Sequence, residues 1–152
     1  MNFWLMKSEP QVFSIDDLAT KPGKIEPWDG IRNYQARNYM KDKMCLGDKA
    51  FFYHSSCPKP GIVGLMEVSK TAYPDATQFD PTNNYFDPKA TAKNPRWFNV
   101  EVKYIRKIPL ISLSSIRANT RLSTLQILKR GNRLSITPIT SQEWDEIMTM
   151  VK

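Results

Sequence analysis

Two apolar runs near the middle of the chain constrain its fold most. In Lys49-Ala-Phe-Phe-Tyr-His-Ser55, alternate positions are Ala50, Phe52 and His54 on one side and Phe51, Tyr53 and Ser55 on the other. Side chains alternate across a strand, so this segment is apolar on both faces and belongs in the middle of a covered sheet. Ile62-Val-Gly-Leu-Met-Glu-Val68 reads as a second buried strand, and Pro58, Pro60 and Gly61 between the two predict a hairpin. Gly64, inside the second run, predicts a bulge or a close approach by another group.

Around this pair the pattern predicts further elements. Phe3-Trp4-Leu5-Met6 is a short strand that ends at Lys7-Ser8-Glu9-Pro10. Ser14, with Asp17 three residues on, caps a short helix, and Thr20 to Pro27 reads as loop. Phe98, Val100, Val102 and Tyr104 alternate with Trp97, Asn99, Glu101 and Lys103 in the clearest strand of the chain. Trp97 therefore falls on the more polar face, as a cover for a loop or as a pocket wall. Ile108-Pro-Leu110 reads as loop, and Leu122 to Lys129 as a short helix stopped by Gly131. Arg133 to Pro138 is a last strand, and Thr140 with Glu143 opens a closing helix with Trp144, Ile147, Met148 and Val151 on one side. Thr71 to Pro95, with four Pro-containing turns, is an irregular stretch expected to cross the mouth of a site.

At 152 residues the chain suits one domain, long enough to bury roughly two-thirds of its unfolded surface. No run approaches the length of a membrane span, and the N-terminal apolar stretch meets Lys7 and Glu9 too soon for a signal peptide. Cys45 and Cys57 form no Cys-x-x-Cys and share the chain with one histidine, so neither a zinc site nor a disulfide framework is expected, and a reducing, cytoplasmic compartment is. Charge is unevenly distributed: residues 93–133 hold ten Lys or Arg against the single acid Glu101, net +9, while the whole chain carries +7. That asymmetry suits a phosphate-rich partner, or a solvated basic face.

The densest polar cluster is Trp28-Asp-Gly-Ile-Arg-Asn-Tyr-Gln-Ala-Arg-Asn38. Ala36, Met40 and Met44 repeat at helical spacing, so the cluster is the entry to a helix running from about Asn33 to Met44. Amides and guanidiniums beside an aromatic ring are the parts of a nucleobase pocket. They equally compose a capped surface helix. No catalytic grouping stands out: His54 and Ser55 point to opposite sides of their strand, and no glycine-rich phosphate loop occurs.

Trp4 with Lys7-Ser8-Glu9-Pro10, the Trp28–Asn38 run, Gly47-Asp48, Phe51 to Ser55, Tyr73-Pro74-Asp75, Trp97, and Arg133 to Pro138 before Trp144 together resemble the EVE domain, nearly end to end and in order. The resemblance implies an α+β chain: a PUA-like mixed-sheet pseudo-barrel with flanking helices, related to the YTH readers of methylated adenine. It implies a pocket for a modified base, methylated or hydroxymethylated, in DNA or RNA, with no cofactor, metal or catalysis. Carried over by position, the pocket comprises Lys7, Ser8, Glu9, Trp28, Arg32, Asn33, Gln35, Arg37, Asn38, Tyr53, His54, Ser55 and Trp97. Trp28 or Trp97 would stack on the base, and Ser55 and Asn33 would bond its edge. Lys103, Arg106, Arg121 and Arg130 would hold phosphates. The alternatives are a protein or enzyme that takes a free nucleoside or nucleotide in the same pocket, and a structural domain with no ligand.

Overall fold

The computed structural model describes residues 1–152. Strand β1 (Phe3–Ser8) lies parallel to β3 (Lys49–His54), and β3 pairs antiparallel with β4 (Gly61–Pro74) across the expected hairpin. On the far side of β4 comes β5 (Phe98–Ser112), then the short β2 (Ile25–Pro27), while β6 (Ile136–Ile139) flanks β1. The order is β2-β5-β4-β3-β1-β6, a mixed sheet whose ends do not close on each other.

Both faces of this sheet are covered, as the two apolar runs require. Trp4, Met6, Phe52, Met66, Val100 and Val102 face α1 (Ile15–Thr20) and α2 (Tyr34–Asn38), burying Ile15, Leu18 and Ala36 against them. Leu5, Phe51, Tyr53, Ile62, Leu65 and Ile108 face the other way, under Ile116 of α3 (Leu113–Ala118) and Ile147 of α4 (Ser141–Thr149). Phe51 and Phe52, neighbours in sequence, are fully buried in different cores. Each such side chain contributes about 2–3 kcal/mol by leaving water.

Gly64 meets both expectations: the β4–β5 register shifts beside it, and a Cβ there would lie 2.4 Å from Ile15 Cδ1, so glycine lets α1 pack onto the sheet. Other boundaries differ from the sequence pattern. Residues 71–74 continue β4, so the irregular stretch runs over 75–97. β5 carries on through Ile108-Pro-Leu110, where the pairing jumps from Lys107 to Ile111 and leaves the proline without a ladder partner to satisfy. The loop before Trp28 contains β2, and the helix expected near Leu122 is instead two 3-10 turns, Thr120–Leu122 and Gln126–Leu128. β6 begins at Ile136 rather than Arg133; as an edge strand it tolerates Pro138. After α2 the chain widens into a π turn, Tyr39–Lys43, that still buries Met40 and Met44.

Candidate functional site

Parallel pairing brings the ends of β1 and β3 side by side, and Ser55 N–H donates to the Ser8 carbonyl at 3.0 Å. From there the chain folds back over itself. Ser8 Oγ donates to the Phe13 carbonyl at 2.6 Å, and the Val12 and Phe13 N–H groups both donate to the Glu9 carbonyl. Ser14 and Asp17 then form a reciprocal cap on α1, and Ile15 N–H donates to His54 Nε2 at 3.2 Å. These bonds hold Phe13 beside Trp28. Trp28 is itself fixed by its N–H, which donates to Val100 O at 2.8 Å, and by edge-on packing against Phe52 and Phe13.

Between these walls lies a cleft of about 410 Å³. Lys7, Ser8, Glu9, Val12 and Phe13 line one part; Lys21, Glu26, Pro27, Trp28, Asp29, Gly30 and Ile31 line another, and Tyr85 reaches in from the irregular stretch. Trp28 forms an apolar floor and is only 6% exposed. The rim is acidic: Glu9, Glu26 and Asp29, with Lys21 Nζ paired to Glu26 Oε2 at 3.3 Å. Burial pushes the Asp29 carboxyl above its usual range, and the nearby carboxylates of Asp75 and Glu26 push the same way. Burial also lowers the Lys7 ammonium, whose Nζ lies 5.8 Å from the centre of the Tyr53 ring.

Behind the cleft, residues 75–97 are fastened to the helix entry. Asp75, fully buried, accepts from Gly30 N–H at 2.8 Å, from Thr77 N–H at 2.8 Å and from Arg32 Nη1 at 3.2 Å. Burial alone would raise its carboxyl; the hydrogen bonds from Thr77, Gly30 and Arg32 outweigh that and hold it below the usual range. Gln78, also buried, ties the two ends of the stretch together: its Nε2 donates to the carbonyls of Asp75 and Trp97, and its Oε1 accepts from the N–H groups of Arg96 and Trp97. All four hydrogen-bonding positions of the amide are used.

The family model described as EVE domain matches residues 2–150. The chain belongs to the EVE domain family. Human thymocyte nuclear protein 1 is 43% identical to it over 164 aligned positions, spanning 97% of this chain and 72% of that protein. The crystal structure of a Pseudomonas syringae protein superposes with a TM-score of 0.92 at 43% identity, over 97% of this chain and 98% of that one. The crystal structure of human THYN1 protein in complex with 5-methylcytosine-containing DNA superposes with a TM-score of 0.93 at 41% identity, over 99% and 97%.

In this EVE domain the thirteen residues expected at the pocket separate into groups. Lys7, Ser8, Glu9 and Trp28 line the cleft. Arg32, Asn33, Gln35, Arg37, Asn38 and Trp97 do not; their polar groups bond within the chain. Arg32 donates through Nε and Nη2 to the Tyr85 carbonyl, besides its bond to Asp75. Asn33 caps α2 by accepting from Ala36 N–H, and Gln35 Nε2 donates to the Tyr39 hydroxyl. Arg37 donates to Arg96 O and to the side-chain oxygen of Asn38. Trp97, 6% exposed, donates from its indole to Asp87 Oδ2 at 2.8 Å and stacks on Tyr34 at 4.8 Å, with the Arg32 guanidinium 5.3 Å from its ring.

Tyr53, His54 and Ser55 do not line the cleft either. Tyr53 is buried in the second core, His54 accepts from Ile15, and Ser55 joins β3 to β1 through its backbone. Lys103 and Arg106 stand in register with Glu67 and Leu65 on the face of the second core, opposite Trp28. Arg121 pairs at 3.6 Å with Glu146 of α4 on that same side, and Arg130 is exposed in the turn before β6. The sequence pattern gave no hint of Lys21 and Glu26, which sit in a stretch that reads as loop. Asp29 was within the singled-out motif, and Tyr85 within the stretch expected to cross a site mouth; both signals were there but pointed to segments rather than residues. No group of His, Cys, Asp and Glu side chains is arranged to hold a metal ion, and no helix is long and apolar enough to cross a membrane.

Proposed function

We propose that residues 1–152 form one nucleic-acid-binding domain that takes a methylated cytosine of DNA into the Trp28 cleft and performs no catalysis on it. The observation that carries this reading is the chemistry of the cleft: an apolar aromatic floor under a rim of three carboxylates, Glu9, Glu26 and Asp29. Its size falls within the range of about 300–1,000 Å³ common to small-ligand sites. Cytosine presents an amino donor at N4, which carboxylates accept, and a 5-methyl group that gains from apolar contact. The human relative crystallised with 5-methylcytosine-containing DNA supports the same choice of base.

In this reading the phosphates stay outside the cleft. Lys24, whose Nζ is 5.3 Å from the Tyr104 ring, and Lys107, paired with Asp16 of α1, are exposed cations on the cleft side of the sheet. They are the proposed contacts to flanking phosphates. The test is anisotropy titration of labelled strands carrying one 5-methylcytosine, or cytosine in its place, across a salt series. Preference for the methylated strand is expected, with the salt slope reduced by about one for each of Lys24→Glu and Lys107→Glu and unchanged by Lys103→Glu and Arg121→Glu. Equal affinity for both strands at every salt concentration would overturn the reading.

A further inference from the structure

An aromatic floor holds a base only from one side, and the two tryptophans are poorly placed to do more. Trp28 is 6% exposed, with Phe52 and Phe13 packed edge-on against it. Trp97 is equally buried and carries Tyr34 and the Arg32 guanidinium over its ring. Neither offers a free face the size of a pyrimidine.

Tyr85 does. It lines the cleft, it is 42% exposed, and its ring has the Arg32 guanidinium 5.4 Å from its centre. Its backbone is held where it is, because its carbonyl accepts two bonds from Arg32, at 2.7 and 3.2 Å, and its N–H donates to Asn83 Oδ1. The ring also rests on Gly30: a Cβ at that position would lie 2.7 Å from Tyr85 Cε2, so the ring occupies space that a side chain would deny it. Val12, 70% exposed, lines the same cleft from the other loop. Two large apolar side chains are thus left in water at one opening, on segments that hydrogen bonds hold in position.

Resting on the reading of the cleft as a base site, we propose that Tyr85 is the residue that stacks on the inserted base, and that Trp28 serves as the floor meeting its 5-methyl edge. Arg32 and Gly30 are positioning residues for that ring. Arg32 draws the loop in through the Tyr85 carbonyl, and its guanidinium lies 5.4 Å from the ring centre, within cation–π range. The clamp is built before the base arrives, so little ordering cost is incurred on binding.

The experiment compares wild type, Tyr85→Ala, Tyr85→Phe and Trp28→Ala in titrations with three strands: one 5-methylcytosine, one cytosine, and one abasic site at the same position. Thermal unfolding of each variant accompanies the titrations. Tyr85→Ala is expected to weaken the methylated and the unmethylated strand alike, by roughly 10-fold to 100-fold, because stacking acts on any base face. Its affinity for the abasic strand and its Tm should stay at wild-type values, and Tyr85→Phe should bind within about twofold of wild type. Trp28→Ala should instead narrow the ratio between methylated and unmethylated strands. Unchanged affinity in Tyr85→Ala, with wild type still preferring the methylated strand, overturns the stacking role and leaves the base site standing. Wild type that binds the abasic strand as tightly as the other two overturns both.

Discussion

The eleven residues from Trp28 to Asn38 look alike in sequence and divide in structure. Trp28, Asp29, Gly30 and Ile31 line the cleft, whereas from Arg32 onward the polar side chains bond to other parts of the chain. The division is made by what stands opposite. Asp75 and the carbonyls of Tyr85 and Arg96 meet the two guanidiniums, and the N–H of Ala36 meets Asn33. A polar group becomes available to a ligand only where the fold leaves it unpaired; the density of polar residues does not reveal which those are.

The strongest way to break this contrast is Asp75→Ala. It removes the acceptor for Gly30 and Arg32 in a fully buried setting, and a loss of about 3–5 kcal/mol in urea-denaturation stability is expected. A loss under about 1 kcal/mol would mean that the loop is held by something else. Next comes Gln78→Leu, which leaves the N–H groups of Arg96 and Trp97 without their acceptor; about 2–3 kcal/mol should go, again read from denaturant midpoints. On the cleft side the pattern should invert. Glu26→Gln weakens only a partly exposed ion pair with Lys21, so stability should stay within about 0.5–1 kcal/mol of wild type. Binding of a methylated strand should nevertheless fall several-fold in anisotropy titration. If stability and binding moved together in all three variants, the cleft wall and the fastened loop behind it would not be distinct.

The smallest effect is one of pH. Burial, the leading cause, lowers the His54 imidazole below its usual range, and its Nε2 must be unprotonated to accept from Ile15. An unfolded chain then binds the proton more readily than the folded one, so the neutral histidine's contribution to stability is complete above the ordinary pKa of about 6.5 and is lost as pH falls through the lower folded value. Thermal melts of wild type and His54→Gln should diverge above that pH and converge below it. Parallel curves would remove His54 from the anchoring of α1.

Much of the scaffold was legible from residue order. The double-sided strands β3 and β4, the capped helices α1 and α4, and the buried Ala36, Met40 and Met44 all follow from periodicity, because a side chain's direction repeats with the local backbone. Boundaries were less so. β4 and β5 run longer than their clean alternation, since a neighbouring strand extends pairing across register shifts and even past Pro109. The cleft was legible in part: Lys7, Ser8, Glu9 and Trp28 line it, and a long loop reaches it, yet Glu26 sits on a three-residue strand that exists only because β5 is beside it.

By itself, then, the sequence determined the covered sheet, the α+β class and the family, since these depend on patterns repeated within short segments or along the whole chain. Only the tertiary structure decided which side chains face the cleft. Arg32 and Asp29 are both charged and three residues apart, and nothing adjacent in the chain tells that one is fastened to the loop while the other lines the cleft. Residues far along the chain made that assignment: Asp75, 43 positions beyond Arg32, is the acceptor that draws the guanidinium inward.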